Sequence, residues 1–363
     1  MRKMLIAMMS GLSAMGAWAA LAFAASHAHK TFAGAPRVLA ASMSMSPTST
    51  MGALPAPEGV PDAGPLSITP AIIRQQNEDA VRVMNEEGMA PQVLPGGVKR
   101  FTLVASEVNW YLYPGKAVVA CGYNGQVPGP VIRVRVGDHV EIVLKNELNE
   151  PTTLNFPGLP LPASQLGIGG VTQRPIPPGG EGVYRFTVTP DMVGTHLYES
   201  GTDMASQIDQ GLHGVLLVDP ARGSLYPSAR VDALYEIDAW MVDGSTTENA
   251  FGLDGKPYPN APQLTVPYQS RVVLRIVNAS GMCYHAMHVH ETTFWLLAED
   301  GWPLPKPRPM NVLAIAPGET ADIEFVADVR GDWMFHCHIL DHMMNPDDEV
   351  DMMGGLVTFI HVK

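Results

Sequence analysis

From about residue 98 onward the chain alternates apolar and polar positions in short runs broken by Gly and Pro. That period of two is the pattern of strands with one buried face. One earlier segment has a different period. Ile72, Ile73, Gln76, Ala80, Val83 and Met84 share one helical face, Thr69-Pro70 supplies an N-cap with proline in the first turn, and Gly88 is a fitting stop. A short helix is therefore expected within a lead-in over 69–97, packed on the outside of the first β domain. Residues 25–68 are rich in Ala, Ser, Met, Pro and Gly, as in Met43-Ser44-Met45-Ser46-Pro47, which is linker composition. Arg2 and Lys3 precede an apolar run from Met4 to Ala25 that contains Ala22-Phe23-Ala24. Residues 1–24 read as a secretory signal peptide. The expectation is an exported protein, periplasmic or extracellular, with no stable membrane span after cleavage.

The strand-rich part is a repeat. Asn124 to Asn146 runs turn, alternating strand, turn, alternating strand, Asn, and Asp254 to Asn278 does the same. Ile176-Pro-Pro-Gly matches Ile315-Ala-Pro-Gly, and Gly194 to Gly201 matches Gly331 to His338. Two copies of one unit follow, at 98–220 and 231–363, joined by a linker at 221–230. The fold class is all-β, with two Greek-key β-sandwich domains and a short N-terminal helix. The copies differ in chemistry. His288-Val289-His290 stands where the first copy has Asn155-Phe156-Pro157, and His336-Cys337-His338 where it has Glu199-Ser200-Gly201.

Composition narrows the function. With 46% hydrophobic and 16% charged residues the chain can bury sizeable cores, which excludes wholesale disorder. Its net charge of −13 argues against a nucleic-acid partner. The 35 Gly and 32 Pro suit many turns. Three cysteines make no disulfide framework. Cys121 and Cys283 are either a pair or two free thiols. The 21 methionines are core fillers or soft ligands for copper(I).

Side chains alternate across a strand, so His336 and His338 share one face and Cys337 points to the other. His288 and His290 likewise share a face. Two imidazole pairs can converge on one side of the strands, and His285, Cys337 and His342 on the opposite side. A thiolate, two imidazoles and a distant methionine are the ligand set of a blue-copper centre. Met353, just before the last strand, is the first choice for that methionine, with Met352, Met344 and Met343 as alternatives. A closed structural zinc site would favour C-x-x-C spacings, and none occurs.

These residues resemble the multicopper oxidase family. His285-Ala286-Met287-His288-Val289-His290 is similar to its H-P-x-H-L-H motif, and His336-Cys337-His338-Ile339-Leu340-Asp341-His342 to its H-C-H-x-x-x-H motif. Gly301 to Pro305 and Pro317-Gly-Glu319 also fit, and Asn124 to Asn146 resembles the family's first cupredoxin domain. The resemblance covers about 98–363 and implies two cupredoxin-like domains. It is similar to the two-domain laccases and, more distantly, to the copper nitrite reductases. Both imply a homotrimer, with a metal cluster between domain one of one chain and domain two of the next. Carried over, His285, Cys337, His342 and Met353 bind type-1 copper, His288 falls at a type-2 position, and His290, His336 and His338 fall at type-3 positions.

Three departures stand out. The first-domain ligand positions hold Asn155, Pro157, Glu199 and Gly201. Asp347 stands where the family has its axial Met, and Glu291 where it has a glycine. The expected function is a copper-dependent oxidoreductase that passes electrons through Cys337 to an atypical histidine-rich second site. Asp341 is the candidate proton donor. Glu199, Asp203, His196 or His213 of a neighbouring chain could complete the second metal's shell. The electron donor is a small molecule or a redox protein. The alternatives are a non-catalytic copper-binding or electron-transfer protein, and a laccase-like oxidase or nitrite reductase with substituted ligands.

Overall fold

The computed structural model describes residues 68–346 and 353–363. The signal-peptide reading, nearly all of the linker, and residues 347–352 with Asp347 and Met352 lie outside the described residues. Among the described residues, no helix is long and apolar enough to cross a membrane.

The first half builds β1 (Gln92–Val93), β2 (Lys99–Tyr113), β3 (Lys116–Tyr123), β4 (Ile132–Arg135), β5 (His139–Asn146), β6 (Leu154–Asn155), β7 (Glu181–Thr187), β8 (Gly194–Ser200) and β9 (His213–Asp219). The second half builds β10 (Val231–Trp240), β11 (Ala250–Leu253), β12 (Leu264–Val266), β13 (Arg271–Asn278), β14 (His285–Val289), β15 (Phe294–Glu299), β16 (Trp302–Met310), β17 (Val312–Ile315), β18 (Thr320–Val326), β19 (Gly331–Cys337) and β20 (Val357–Val362). The first half forms one sheet in the order β1-β2-β5-β7, with β3 on β2, and another in the order β4-β9-β8-β6. The second half forms β11-β10-β13-β18-β15-β16 and β12-β20-β19-β14-β17. The architecture is all-β, as expected.

The repeat in sequence is a repeat in pairing. β2 runs parallel to β5 as β10 does to β13, and β4 parallel to β9 as β12 does to β20. The asparagine that closes each repeated segment does the same work in both. The Asn146 amide donates to Glu150 O and Ile176 O, and the Asn278 amide donates to Cys283 O and Ile315 O. Each pins the loop that leads into the site strand, because a buried amide must find partners.

Each sandwich has its own core. Phe101, Leu144, Phe156 and Tyr184 lie in the first, and Tyr235, Ile276, Phe325 and Trp333 in the second. Each such side chain contributes about 1.5–3 kcal/mol when fully buried. Apolar contacts also join the domains: Trp110 and Val127 meet Trp240 and Ala250, and Leu197 and Leu217 meet Leu234 and Val277. Between them sits the buried Arg275, bonded to Glu86, Asp232 and Thr195, with Asp322 at 3.7 Å.

The lead-in helix α1 (Pro70–Met84) starts where expected, with the Thr69 hydroxyl accepting from Ile72 N at 3.3 Å. Its position corrects the sequence reading. It is not on the outside of the first domain but bridges both. The Gln76 amide donates to Asn109 O and accepts from Tyr111 N on β2, and Lys256 of the second domain donates to the same oxygen. Met84 packs in the second core. Periodicity located the apolar face but could not show that two domains share it.

Candidate metal centre

The site grows from one pair of neighbouring strands. β14 and β19 are antiparallel, with Met287 opposite Cys337 and His288 opposite His336. On β14, His285, Met287 and Val289 point into the core, while His288 is half-exposed on the other face. On β19, Phe335 and Cys337 lie in the same core. The chain then turns through a 3-10 segment, Leu340–Met343, which returns His342 to the core side.

His285, Cys337 and His342 meet there, with one donor atom of each within 4.8 Å of the others. The two Nδ1 atoms lie 3.1 Å apart, and Cys337 Sγ is 3.7 Å from His342 Nδ1. Ser280 Oγ is 3.3 Å from His285 Nε2, which leaves Nδ1 aimed at the group. All three residues are buried. Burial and the neighbouring His342 push His285 down to about 3, and burial pushes His342 down as well. Burial pushes the Cys337 thiol up. The group therefore consists of neutral imidazoles and a thiol in mutual hydrogen-bond contact. A soft cation fits such a donor set.

The second group lies on the opposite face of the same strands. Donor atoms of His288, His290 and His336 are also within 4.8 Å of one another. His288 Nδ1 donates to Asn311 O at 2.7 Å, and His336 Nδ1 donates to Cys337 O at 2.8 Å. These carbonyls fix both tautomers and turn each Nε2 inward. His290 Nε2 lies 3.0 Å from His336 Nε2. The exposed His338 completes the patch, with its ring centroid 5.4 Å from that of His288 and 5.5 Å from that of His336. Burial pushes His336 down to about 4 and lowers His290, so both are neutral donors near pH 7. The sequence-predicted split across the strands is thus what the fold builds, and the bond from His336 to the Cys337 carbonyl joins its two sides.

The remaining candidates fare differently. Met353 is half-buried. The chain just beyond it is tied to the ligand turn, since Gly354 N donates to Met343 O and Leu356 N to His342 O. Asp341 is exposed, and its charge acts on Cys337, His342 and Cys283. It sits in the 3-10 turn that carries His342. His196 and His213 are not available to a neighbouring chain. His196 is buried against the Gly301 turn with Nε2 2.7 Å from Met192 O, and His213 is buried between Glu236 and Asp238. Both are used between the domains, a role spacing along the chain does not reveal. Cys121 and Cys283 are free thiols.

The first domain keeps the positions and changes the chemistry. Asn155 faces Glu199 in the register that His288 and His336 occupy, and the Asn155 amide reaches Glu199 at 3.4 Å. Thr152 bridges to Ile176 as His285 pairs with Ile315. Thr152 and Ser200 both donate to Gln207 Oε1, at 2.8 and 2.6 Å. Sequence reasoning missed this polar trio. Stepping the repeat back from Asn155 would have reached Thr152, but Gln207 lies seven residues after Ser200 whereas His342 lies five after Cys337.

The chain is similar to known proteins along most of its length. Multicopper oxidase domain profiles match residues 105–223 and 228–353. Laccase-20 of Oryza sativa subsp. japonica is 27% identical over 73% of this chain and 50% of its own length. The chain spans about half the length of the curated relatives it matches. Blue copper oxidase from Nitrosomonas europaea shares the fold with a TM-score of 0.68 and 26% identity, over 72% of this chain and 85% of that one. The multicopper oxidase mgLAC also has a TM-score of 0.68, with 29% identity over 73% and 86% of the two chains. Two matched domains of one family, carrying donor groups of the kind copper takes, lead to one conclusion: the chain belongs to the multicopper oxidase family.

Proposed function

We propose that the protein is an exported copper-dependent oxidoreductase with type-1 copper at His285, Cys337 and His342 and an atypical second site at His288, His290, His336 and His338. Met353 would be the fourth ligand in this reading, supported by the backbone bonds that tie Gly354 and Leu356 to the His342 turn. Copper supplies one-electron redox chemistry when bound. Cys337 Sγ binds it on the core side, and the peptide of the same residue leads to the other face. There the Cys337 carbonyl holds the His336 ring, so one residue links both donor groups. That link is the observation that carries the proposal. His288 and His336 turn Nε2 towards a shared centre, His290 Nε2 lies beside that of His336, and the exposed His338 borders the group. A small molecule or a redox protein donates the electrons.

Asn155, Pro157, Glu199 and Gly201 offer no imidazoles, so a full trinuclear cluster lacks half of its usual ligands. This weighs against a laccase-like oxidase or nitrite reductase with substituted ligands. It favours a second reading, a non-catalytic copper-binding or electron-transfer protein. A homotrimer would bring the first domain of a neighbour against the open histidine face. Burial lifts Glu199 to about 7, so the carboxyl it would bring gains or loses its proton near neutral pH.

Copper per chain, with visible and EPR spectra, tests the proposal on wild type and on His336→Ala. The expectation is a blue centre in both proteins, a second copper in wild type alone, and oxygen or nitrite turnover lost in the variant. One copper in wild type would leave the electron-transfer reading. Full turnover by His336→Ala would refute a catalytic second site.

A further inference from the structure

The four histidines with defined surroundings are not held in the same way. His288 and His336 each donate to a backbone carbonyl, and His285 has the Ser280 hydroxyl. Among the described residues, the hydrogen-bond contacts of the His342 ring are to Cys337 and His285, the other members of its own group. A metal-ligating histidine ordinarily has an outer partner that fixes its ring.

An aromatic ring stands in that place. Phe251 on β11 is 2% exposed and stacks on His342, with ring centroids 4.0 Å apart and an interplanar angle of 24°. The same ring meets His285 edge-on, at 5.5 Å and 74°. His285 and His342 are themselves 4.9 Å apart at 63°. One side chain therefore braces both imidazoles.

The repeat supplies an independent observation. The Asn124 side chain accepts from Val104 N, and Asp254 accepts from Glu236 N, so β3 and β11 occupy matching places. Three residues before each lies the partner of Glu107 or Ala239, which is Cys121 in one domain and Phe251 in the other. The copy with the donor group has the aromatic ring. The copy with Thr152, Ser200 and Gln207 does not.

We propose that Phe251 is a positioning residue for this centre: it fixes the His342 ring by stacking, where His285, His288 and His336 are held by hydrogen bonds, and it closes the centre to water. The role rests on the copper reading above. Offset-stacked and edge-to-face arrangements are the ones aromatic pairs prefer, and here that preference acts on ring orientation. With the stack removed, the imidazole can rotate and water can reach it. Both effects alter the ligand field and open a path for metal loss.

The test compares copper-loaded wild type with Phe251→Leu and Phe251→Tyr. Visible absorption, EPR and the rate of copper transfer to a chelator are read, with circular dichroism as the check on folding. In Phe251→Leu we expect a shifted blue band, altered copper hyperfine coupling and copper loss faster by about tenfold, the scale of outer-partner mutations. Phe251→Tyr keeps the ring and should stay near wild type in all three. An unchanged spectrum and loss rate in Phe251→Leu would overturn the proposal. So would a Phe251→Tyr variant that behaves like Phe251→Leu. A wild type without any blue centre would instead refute the copper reading on which the role rests.

Discussion

Two sandwiches of one design solve the same buried problem in opposite ways. In the first, Thr152, Ser200 and Gln207 satisfy one another, and Gln207 Nε2 also donates to Glu150 and Pro151 O. In the second, His285, Cys337 and His342 turn donor atoms towards one another. An unmet buried polar group costs about 1–3 kcal/mol. The first arrangement avoids that cost with the chain's own atoms. The second makes its contacts among donor types that a metal can take. On the copper reading proposed above, the first domain is a scaffold complete in itself, and metal bound by the second would add to its stability.

The sharpest way to break the comparison is Cys337→Ser, which places the first domain's residue in the second. It should abolish the blue absorption while circular dichroism stays near wild type. A surviving blue band would refute the type-1 assignment.

Acidity gives the next largest effect. Burial raises the Cys337 thiol and lowers His285 and His342, so metal binding must displace one proton, from sulfur. The thiol stays protonated below its raised pKa. Each unit of falling pH should then weaken copper binding about tenfold, or ~1.4 kcal/mol. Competition titrations across pH 5–8 should give a slope of one. A slope near zero would mean the thiolate is not a ligand.

Gln207→Ala attacks the self-satisfied trio. It removes the acceptor shared by Thr152 and Ser200, while Ser200 keeps its bond to Thr202 O, and should cost about 1–3 kcal/mol in denaturant unfolding, without changing copper per chain. A loss of copper would show that the domains are coupled more tightly than their separate cores suggest.

The smallest effect concerns the matching turns. Asn124 both accepts from Val104 N and donates to Thr102 O, whereas Asp254 accepts from Glu236 N and leaves its other oxygen buried and unpartnered. Burial raises the Asp254 carboxyl well above its ordinary value. A raised carboxyl contributes its stability below the unfolded-state value, and that stability is lost as pH rises. Asp254→Asn should therefore stabilise the protein by about 1 kcal/mol near pH 8 and change little at acid pH. A destabilised variant would mean that the carboxyl is held by its neighbours in a way the asparagine cannot copy.

Much of the site was legible before folding. Alternation alone placed His288, His290, His336 and His338 on one face and Cys337 on the other, because side-chain direction in a strand depends only on parity. The internal repeat located the positions where the first domain departs. What stayed hidden involved contacts between elements far apart in the chain. Nothing near Phe251 marks it as a partner of His342. Nothing near His196 or His213 shows that domain packing consumes them. The lead-in helix showed its apolar face, but not that both domains cover it.

By itself, then, the sequence determined two repeated sandwiches, the ligand types, and the side of the strand on which each ligand projects. Those properties follow from local periodicity and residue chemistry, which act over a few residues. Only the tertiary structure decided how closely the donors meet, that Phe251 braces them, and that Arg275 and α1 lock the domains together. Those outcomes depend on distances between strands that the chain brings together only when both cores close.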